Sequence, residues 1–500
     1  MRDREREPFG LPPGTAQQES AMSKQKLQDI PVNVVSDDGE YEQIHLYAAH
    51  RKIYPRWVTG LWNNWRIFAV IATQLFFYAV PWLQINGRQA LLFDLSTRKF
   101  YIFNLLFLPQ DFIYLTALLM LCAFGLFAWT TIGGRLWCGY ACPQTVYTEI
   151  FLWIEKWVEG DRPARIKLDN GPLSARKLRL KTVKHTIWIV FSLWTGFTFV
   201  GYFTPIRELW SDMLILALGG WELFWILFYG FATYGNAGWM REQVCKYMCP
   251  YARFQSTMFD ADTLIVSYDE KRGEARGSRK KGADYKAEGL GDCIDCTMCV
   301  QVCPVGIDIR DGLQYECIGC AACIDACDSV MDKMNYPRGL IRYTSENALK
   351  GDYPERQIVR RIARPRVLMY GVVLAIIVAA TVTGLVLRQP VKANIARDRV
   401  ALVRETDDGW LENSYRVQIE NADEARHAYR ITAEGLPGLR VVIDGPATVD
   451  VAPTEIQEVG VRLQAEPQVA SKGSHDIRFV ITAVDKPEIS TREKATFIGQ

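Results

Sequence analysis

Twelve of the thirteen cysteines in this 500-residue chain fall in tight groups, and grouped thiols in a long chain read as ligands for metal ions or clusters. The densest stretch is CIDCTMCVQVCPVGIDIRDGLQYECIGCAACIDAC. It holds two consecutive C-x2-C-x2-C-x3-C runs: Cys293, Cys296, Cys299 and Cys303, then Cys317, Cys320, Cys323 and Cys327. Three thiolates on one tight loop cap three irons of a cube, and the fourth ligand comes from the other run. The spacing predicts two [4Fe–4S] clusters. One is expected on Cys293, Cys296, Cys299 and Cys327, the other on Cys317, Cys320, Cys323 and Cys303. Pro304 turns the chain away after the first run; Asp328 stands in the equivalent place of the second and touches no ligand position. Structural zinc is the competing chemistry, but zinc sites take two ligand pairs rather than two four-cysteine runs. Such clusters move single electrons and suit a reducing, cytosolic location.

The other four grouped cysteines come as two matching pairs. RLWCGYACPQ carries Cys138 and Cys142, and REQVCKYMCPYARFQ carries Cys245 and Cys249. Both read C-x3-C-P, both follow an apolar run, and Arg135 and Arg241 precede them by a few residues. Positions i and i+4 share a helix face, and a proline disfavours helix in the residue before it. Each pair is therefore expected to close one helix and open another, whose N-terminus would favour thiolate over thiol. Four thiolates at a membrane edge would select a soft ion such as Cu(I), zinc, or an iron–sulfur cluster. The alternative is that they are small buried residues that pack well. Cys122 stands alone inside an apolar run and reads as packing, as Met248 does between Cys245 and Cys249.

The elements that position these groups are membrane helices. Five segments have the length and apolarity of spans, at 65–84, 112–132, 186–204, 213–234 and 367–387. The 15 Trp, 22 Tyr and 23 Phe suit interfacial aromatic belts, whereas a net charge of +2 gives no case for nucleic acid. The first run begins near Ile67, too late for a cleaved signal peptide. Ten Lys and Arg lie between 133 and 185, against three between 85 and 111 and one between 205 and 212. The positive-inside rule then puts the N-terminus and the cysteine groups in the cytosol and the C-terminus in the periplasm of a bacterial inner membrane. Two polar residues in or beside spans draw notice: Glu222, an ionisable group expected within the fourth span, and His185, opening the third.

The chain divides on this reading into a polar cytosolic tail (1–62, irregular over its first fifty residues), a four-span region (63–260), a cytosolic ferredoxin-like insert (261–366), a last span (367–387) and a β region (388–500). In the last, SYRVQIE, AYRITAE, LRVVID, VGVRLQA and IRFVITAV are short runs of strand formers separated by turn residues, the pattern of an all-β sandwich. It contains no cysteine, and His427 and His475 read as surface residues.

IYPRWVTGLWNNWR, GGRLWCGYACPQTVYTEIFLWIEKWVEGDRPARIKL, YMCPYARFQSTMFD and the double cysteine run together resemble the CcoG/FixG/RdxA family of cytochrome c oxidase accessory proteins. The C-x3-C-P pairs alone are shared more widely, with membrane ferredoxins of the NapH/NosR kind. The resemblance implies a C-terminal immunoglobulin-like domain, a place in assembling a cbb-type oxidase, and reduction of Cu(II) to Cu(I) before copper reaches it. It makes oxidase subunits or copper-delivery proteins the expected partners, and Cys138, Cys142, Cys245 and Cys249 the residues expected to handle copper. Two other classes compete: an electron-transfer subunit exchanging with quinone or a periplasmic carrier, and a non-redox scaffold. No dinucleotide fingerprint, flavin motif or C-x-x-C-H haem site occurs, so the electron donor is expected to be a separate, cytosolic molecule.

Overall fold

The computed structural model describes residues 52–500, except Ala283, five residues between 352 and 359, 399–402, Glu424 and Gln500. Before Lys52 it describes two short strands, Val32–Val35 and Tyr41–Ile44, paired antiparallel. That hairpin departs from the irregular tail expected there; the rest of the first fifty residues lies outside the described residues. The chain forms two compact units, one ending at Tyr54 and one running from Pro55 to Gln500.

In the second unit, four helices are long and apolar enough to cross a membrane: Leu61–Trp82, Phe112–Gly133, Ala175–Val200 and Pro365–Val386. Phe112–Gly133 and Pro365–Val386 bury almost nothing in the protein, so many of their Leu, Val and Ile side chains lie exposed on its outer surface. The fourth expected span, 213–234, is broken up. A helix Ile206–Leu214 stops, and Leu216 takes a left-handed φ of 56°. A second helix, Gly220–Thr233, runs on into a wider π-helical stretch, Tyr234–Met240. This segment packs tightly on Ala175–Val200: a Cβ at Gly196 would lie 2.3 Å from the Ile226 carbonyl oxygen, so only glycine allows the two backbones to meet there.

The helix bundle has two distinct ends. At one, Asn63 meets the cysteine-rich segment, Arg241 the helix Pro143–Glu159, and Arg364 the end of the helix Phe112–Gly133. Arg66 pairs with Glu149, Arg241 reaches the fully buried Glu155, and Arg364 donates to the Thr131 carbonyl. Arg165 at 3.2 Å and Lys184 at 3.5 Å also converge on Glu155. At the other end, Phe93 N–H donates to the Tyr202 carbonyl, and Gln89 bonds the Gly201 carbonyl and the Ile206 N–H. There Asp111 pairs with Arg388 and Lys392, and Lys99 donates to Thr454, tying the sandwich to the bundle.

The C-terminal region is a two-sheet antiparallel sandwich. One sheet orders Val391–Arg397, Leu411–Asn421, Ile456–Ala465 and Arg440–Ile443, with Arg404–Glu405 beside the second strand. The other orders Val449–Val451, His427–Glu434, Gly473–Ala483 and Ser490–Gly499. Alternate residues point inward, so Tyr415, Val417, Ile419, Val461 and Leu463 meet Tyr429, Ile431, Phe479, Ile481 and Phe497 in one core.

Candidate functional site

The two cysteine runs fold as a matched pair of loops. Thr297, after Cys296, and Ala321, after Cys320, both take left-handed φ values, 54° and 59°. Each opens a helix, Met298–Gln301 and Ala322–Met334, that carries the next cysteine. The strands Ile265–Tyr268 and Ile341–Thr344 pair antiparallel behind the loops and close the apolar core.

Two cavities result, each with about 360 Å³ of empty space and walls that are almost wholly apolar apart from sulfur. Cys293, Cys296, Cys299 and Cys327 line one. Cys303, Cys317, Cys320 and Cys323 line the other, with Cys299 at its edge. Among the described residues, no three His, Cys, Asp or Glu side chains converge closely enough to hold a single ion. Four cysteines spread around an open, dry volume fit a polynuclear core better than one zinc. Burial pushes Cys299 and Cys317 up to about 12, and raises Cys323 and Cys327 as well. Cys303 is also raised by burial, though N–H groups of Val305, Gly306 and Ile307 point at its sulfur and oppose the shift. Cluster binding must therefore displace protons from these groups.

Each C-x3-C-P pair straddles a helix break rather than sharing one helix face. Cys138 lies in the short helix Leu136–Tyr140, and Cys142 caps the helix Pro143–Glu159. Cys245 lies in the π-helical turn Val244–Met248, and Cys249 caps Pro250–Met258. The two pairs are close enough to perturb one another: Cys138, Cys142 and Cys249 all oppose ionisation of Cys245. The expected thiolate preference is not what the structure gives. Burial pushes Cys138 up to about 11 and Cys245 up to about 12. Cys142 is raised for the same reason, although the Gln144 and Thr145 N–H groups work against it. Desolvation outweighs the helix N-terminus here. Cys138 also donates to Gln255 Oε1 at 3.3 Å.

The first pair touches the second cysteine cavity directly. A Cβ on Gly139 would sit 2.9 Å from the Cα of Cys320 and 2.9 Å from the Ile318 carbonyl oxygen. Across the same contact, a Cβ on Gly319 would lie 3.2 Å from the carbonyl carbon of Arg135. Cys138 packs into the cluster formed by Val302, Val305, Ile318 and Cys320. Tyr343 locks the junction by donating to the Gly319 carbonyl at 2.7 Å. Gly139, Gly319 and Tyr343 escaped the sequence reading; the C-G-Y-A-C and I-G-C glycines were the signal, since each is where backbone must approach backbone.

The remaining singled-out residues have local roles. Glu222 caps its helix, accepting the Gly219 N–H at 2.9 Å, and so marks a helix start instead of a charge within a span. His185 lies within the helix Ala175–Val200, bonds Tyr234 at 2.9 Å and stacks on Trp239. Cys122 and Met248 are exposed, not packed, because both sit on outward faces. His427 is buried, contrary to expectation, held between Asp485 at 2.7 Å and Asp423 at 3.0 Å, while His475 bonds the Ser471 carbonyl.

Comparison with known proteins adds to this geometry. Residues 240–346 match a family described as a 4Fe-4S dicluster domain, and residues 115–162 one described as a 4Fe-4S binding domain. Residues 381–500 match the Ig-like fold at the C-terminus of FixG. The nitrogen fixation protein FixG of Rhizobium meliloti is 38% identical over 440 residues, covering 81% of this chain and 83% of its own. Protein RdxB of Cereibacter sphaeroides is 39% identical over 417 residues, covering 82% and 87%. Protein RdxA of the same organism is 37% identical over 415 residues, covering 81% and 87%.

Proposed function

The chain belongs to the FixG/RdxA family of iron–sulfur proteins, and from that premise we propose that it is a membrane-bound electron-transfer protein that reduces Cu(II) to Cu(I) for assembly of a cbb-type cytochrome c oxidase. A [4Fe–4S] cluster supplies single electrons. On this reading Cys293, Cys296, Cys299 and Cys327 hold one, and Cys303, Cys317, Cys320 and Cys323 the other; the support is that these are the four-cysteine sets lining the two cavities.

The observation that carries the proposal is the backbone contact of Gly139 with Cys320. It leaves no layer of protein between the second cavity and the first C-x3-C-P pair. Copper enters as substrate. Cu(II) prefers nitrogen and oxygen ligands and Cu(I) prefers thiolate. Thiolates from Cys138, Cys142, Cys245 and Cys249 therefore favour the product, although no three of them stand close enough here to hold one ion together; burial raises Cys138, Cys142 and Cys245, so ion binding there releases protons. The charge asymmetry of the loops supports a reading in which the cysteine end of the bundle is cytosolic, the sandwich periplasmic and the helical run 220–240 a further crossing. The electron donor is a separate cytosolic molecule.

A second reading has its own support. The match of residues 115–162 to a 4Fe-4S binding domain includes Cys138 and Cys142, so the four membrane-edge cysteines could instead hold a further cluster. One experiment separates the two. Anaerobically purified protein is assayed for iron, for Cu(I) binding and for Cu(II) reduction, beside Cys138→Ser/Cys245→Ser. The copper reading expects about eight irons per chain in both proteins, from two cubanes, with Cu(I) binding and Cu(II) reduction lost together in the variant. About twelve irons falling to about eight would establish the further cluster.

A further inference from the structure

Arg66 and Arg165 are each more than nine-tenths buried, and each leaves its Nε without a hydrogen-bond partner. A buried guanidinium N–H normally finds an acceptor, because leaving it bare forfeits its hydration. Both arginines line one cleft, with about 500 Å³ of empty space, between the start of the first spanning helix and the cysteine-rich segment. Two further cations, Arg56 and Lys156, complete its wall. Against these four stand two carboxylates, Glu149 and Asp161, so the lining keeps an excess of positive charge.

The individual pairings do not use up that charge. Arg66 is paired with Glu149, and Arg165 with Glu155. Glu155 is shared with Arg241 and Lys184, so one carboxylate serves three cations. Arg56 reaches only the neutral sulfur of Met298, at 3.2 Å, by its side chain. Lys156 lies 4.0 Å over the Trp57 ring, a contact that leaves its ammonium free to donate. The floor of the cleft is Val302 and Pro304, the two neighbours of Cys303.

We propose that this cleft is an anion site that takes a phosphate group, and that its occupancy is felt at the iron–sulfur centre held by Cys303. Guanidinium forks and an ammonium are the donors that phosphate oxygens require. Asn63 and Arg66, in the first turns of the spanning helix, also line it. The phosphate can therefore come from an anionic lipid headgroup or from a soluble phosphate compound. Either adds negative charge one residue from Cys303 and disfavours uptake of an electron there. The inference uses the ferredoxin cluster assignment and is independent of copper; absent cluster signals at the outset would signal failure of that assignment, not of the site.

The test uses full-length, cluster-loaded protein in phosphatidylcholine nanodiscs, with potentials read by EPR-monitored redox titration. Inorganic phosphate is titrated in one arm, and phosphatidylglycerol replaces part of the lipid in the other. A negative shift in one arm, confined to the centre held by Cys303, supports the site and names its source. Arg56→Gln/Lys156→Gln, two changes on the open side of the cleft, should weaken phosphate binding at least tenfold or abolish the lipid shift. Arg165→Lys keeps the ion pair and gives a second, conservative loss. Equal shifts of both centres would mark general surface charge and overturn the proposal. So would no shift in either arm, or a shift unchanged in the variants.

Discussion

Gly139 and Cys320 are in backbone contact: the hydrogen of one glycine separates the membrane-edge turn from a cysteine loop 181 positions later, and a methyl group there would approach the Cys320 Cα to 2.9 Å. The turn on one side belongs to a helix end, and the loop on the other to the cysteine-rich segment. On the proposed function, electrons would cross at this contact.

Gly139→Val should force the two backbones apart without removing a ligand. We expect normal iron content and normal EPR signals, with Cu(II) reduction slowed at least tenfold. Stopped-flow reoxidation of dithionite-reduced protein by Cu(II) measures it. An unchanged rate would mean electrons leave by another route.

The two cavities predict crossed losses. Cys327→Ser should damage the centre associated with Cys293, Cys296 and Cys299, and Cys303→Ser the one associated with Cys317, Cys320 and Cys323. EPR of each variant, assigned by difference from wild type, decides. Loss following each run's own four cysteines would show that the ligation is uncrossed.

Asp325 sits between two cluster cysteines and accepts the Trp62 N–H at 3.3 Å and the Asn63 N–H at 2.7 Å, capping the first spanning helix from outside it. Asp325→Ala should cost about 1 kcal/mol, the usual worth of an N-cap, or roughly fivefold faster local exchange. Hydrogen exchange at residues 61–64 is the readout, and equal protection in wild type and variant would deny the cap any energetic role.

His427 makes the sandwich pH-sensitive. Its burial opposes charge, but hydrogen bonds to Asp423 and Asp485 dominate and raise its pKa above the ordinary value. A raised folded-state pKa contributes stability that is complete below about pH 6.5, the unfolded value, and is lost as pH rises through the folded one. The difference in exchange protection of the strand His427–Glu434 between wild type and His427→Gln should be largest near pH 5.5 and shrink toward pH 9. A difference that grows with pH would contradict the imidazolium assignment.

The chemistry of this chain was more legible than its junctions. Cysteine spacing is a local signal, and the two four-cysteine runs could be read without any knowledge of the fold. The long apolar helices and the strands carrying SYRVQIE or IRFVITAV were equally local. The segment 213–234 misled because hydropathy averages over a window, whereas Glu222 caps a helix start through one hydrogen bond. His427 misled because its two carboxylate partners lie 4 and 58 residues away, and only the fold brings the second to it. The raised pKa values of Cys138, Cys142 and Cys245 follow burial, which spacing does not encode. Gly139 and Asp325 were invisible for the same reason: each matters through a partner far along the chain.

The cap on the first spanning helix also sets an order of events during synthesis. Asp325 leaves the ribosome 262 residues after Asn63. At about 5–20 residues per second, the first helix waits on the order of 10–50 seconds with its leading amide groups uncapped. The later spans, except the last, are made in that interval. The cysteine-rich segment thus arrives after every long apolar helix except Pro365–Val386 has been made, and the start of the first helix is completed only by a chain that has also made both cysteine loops.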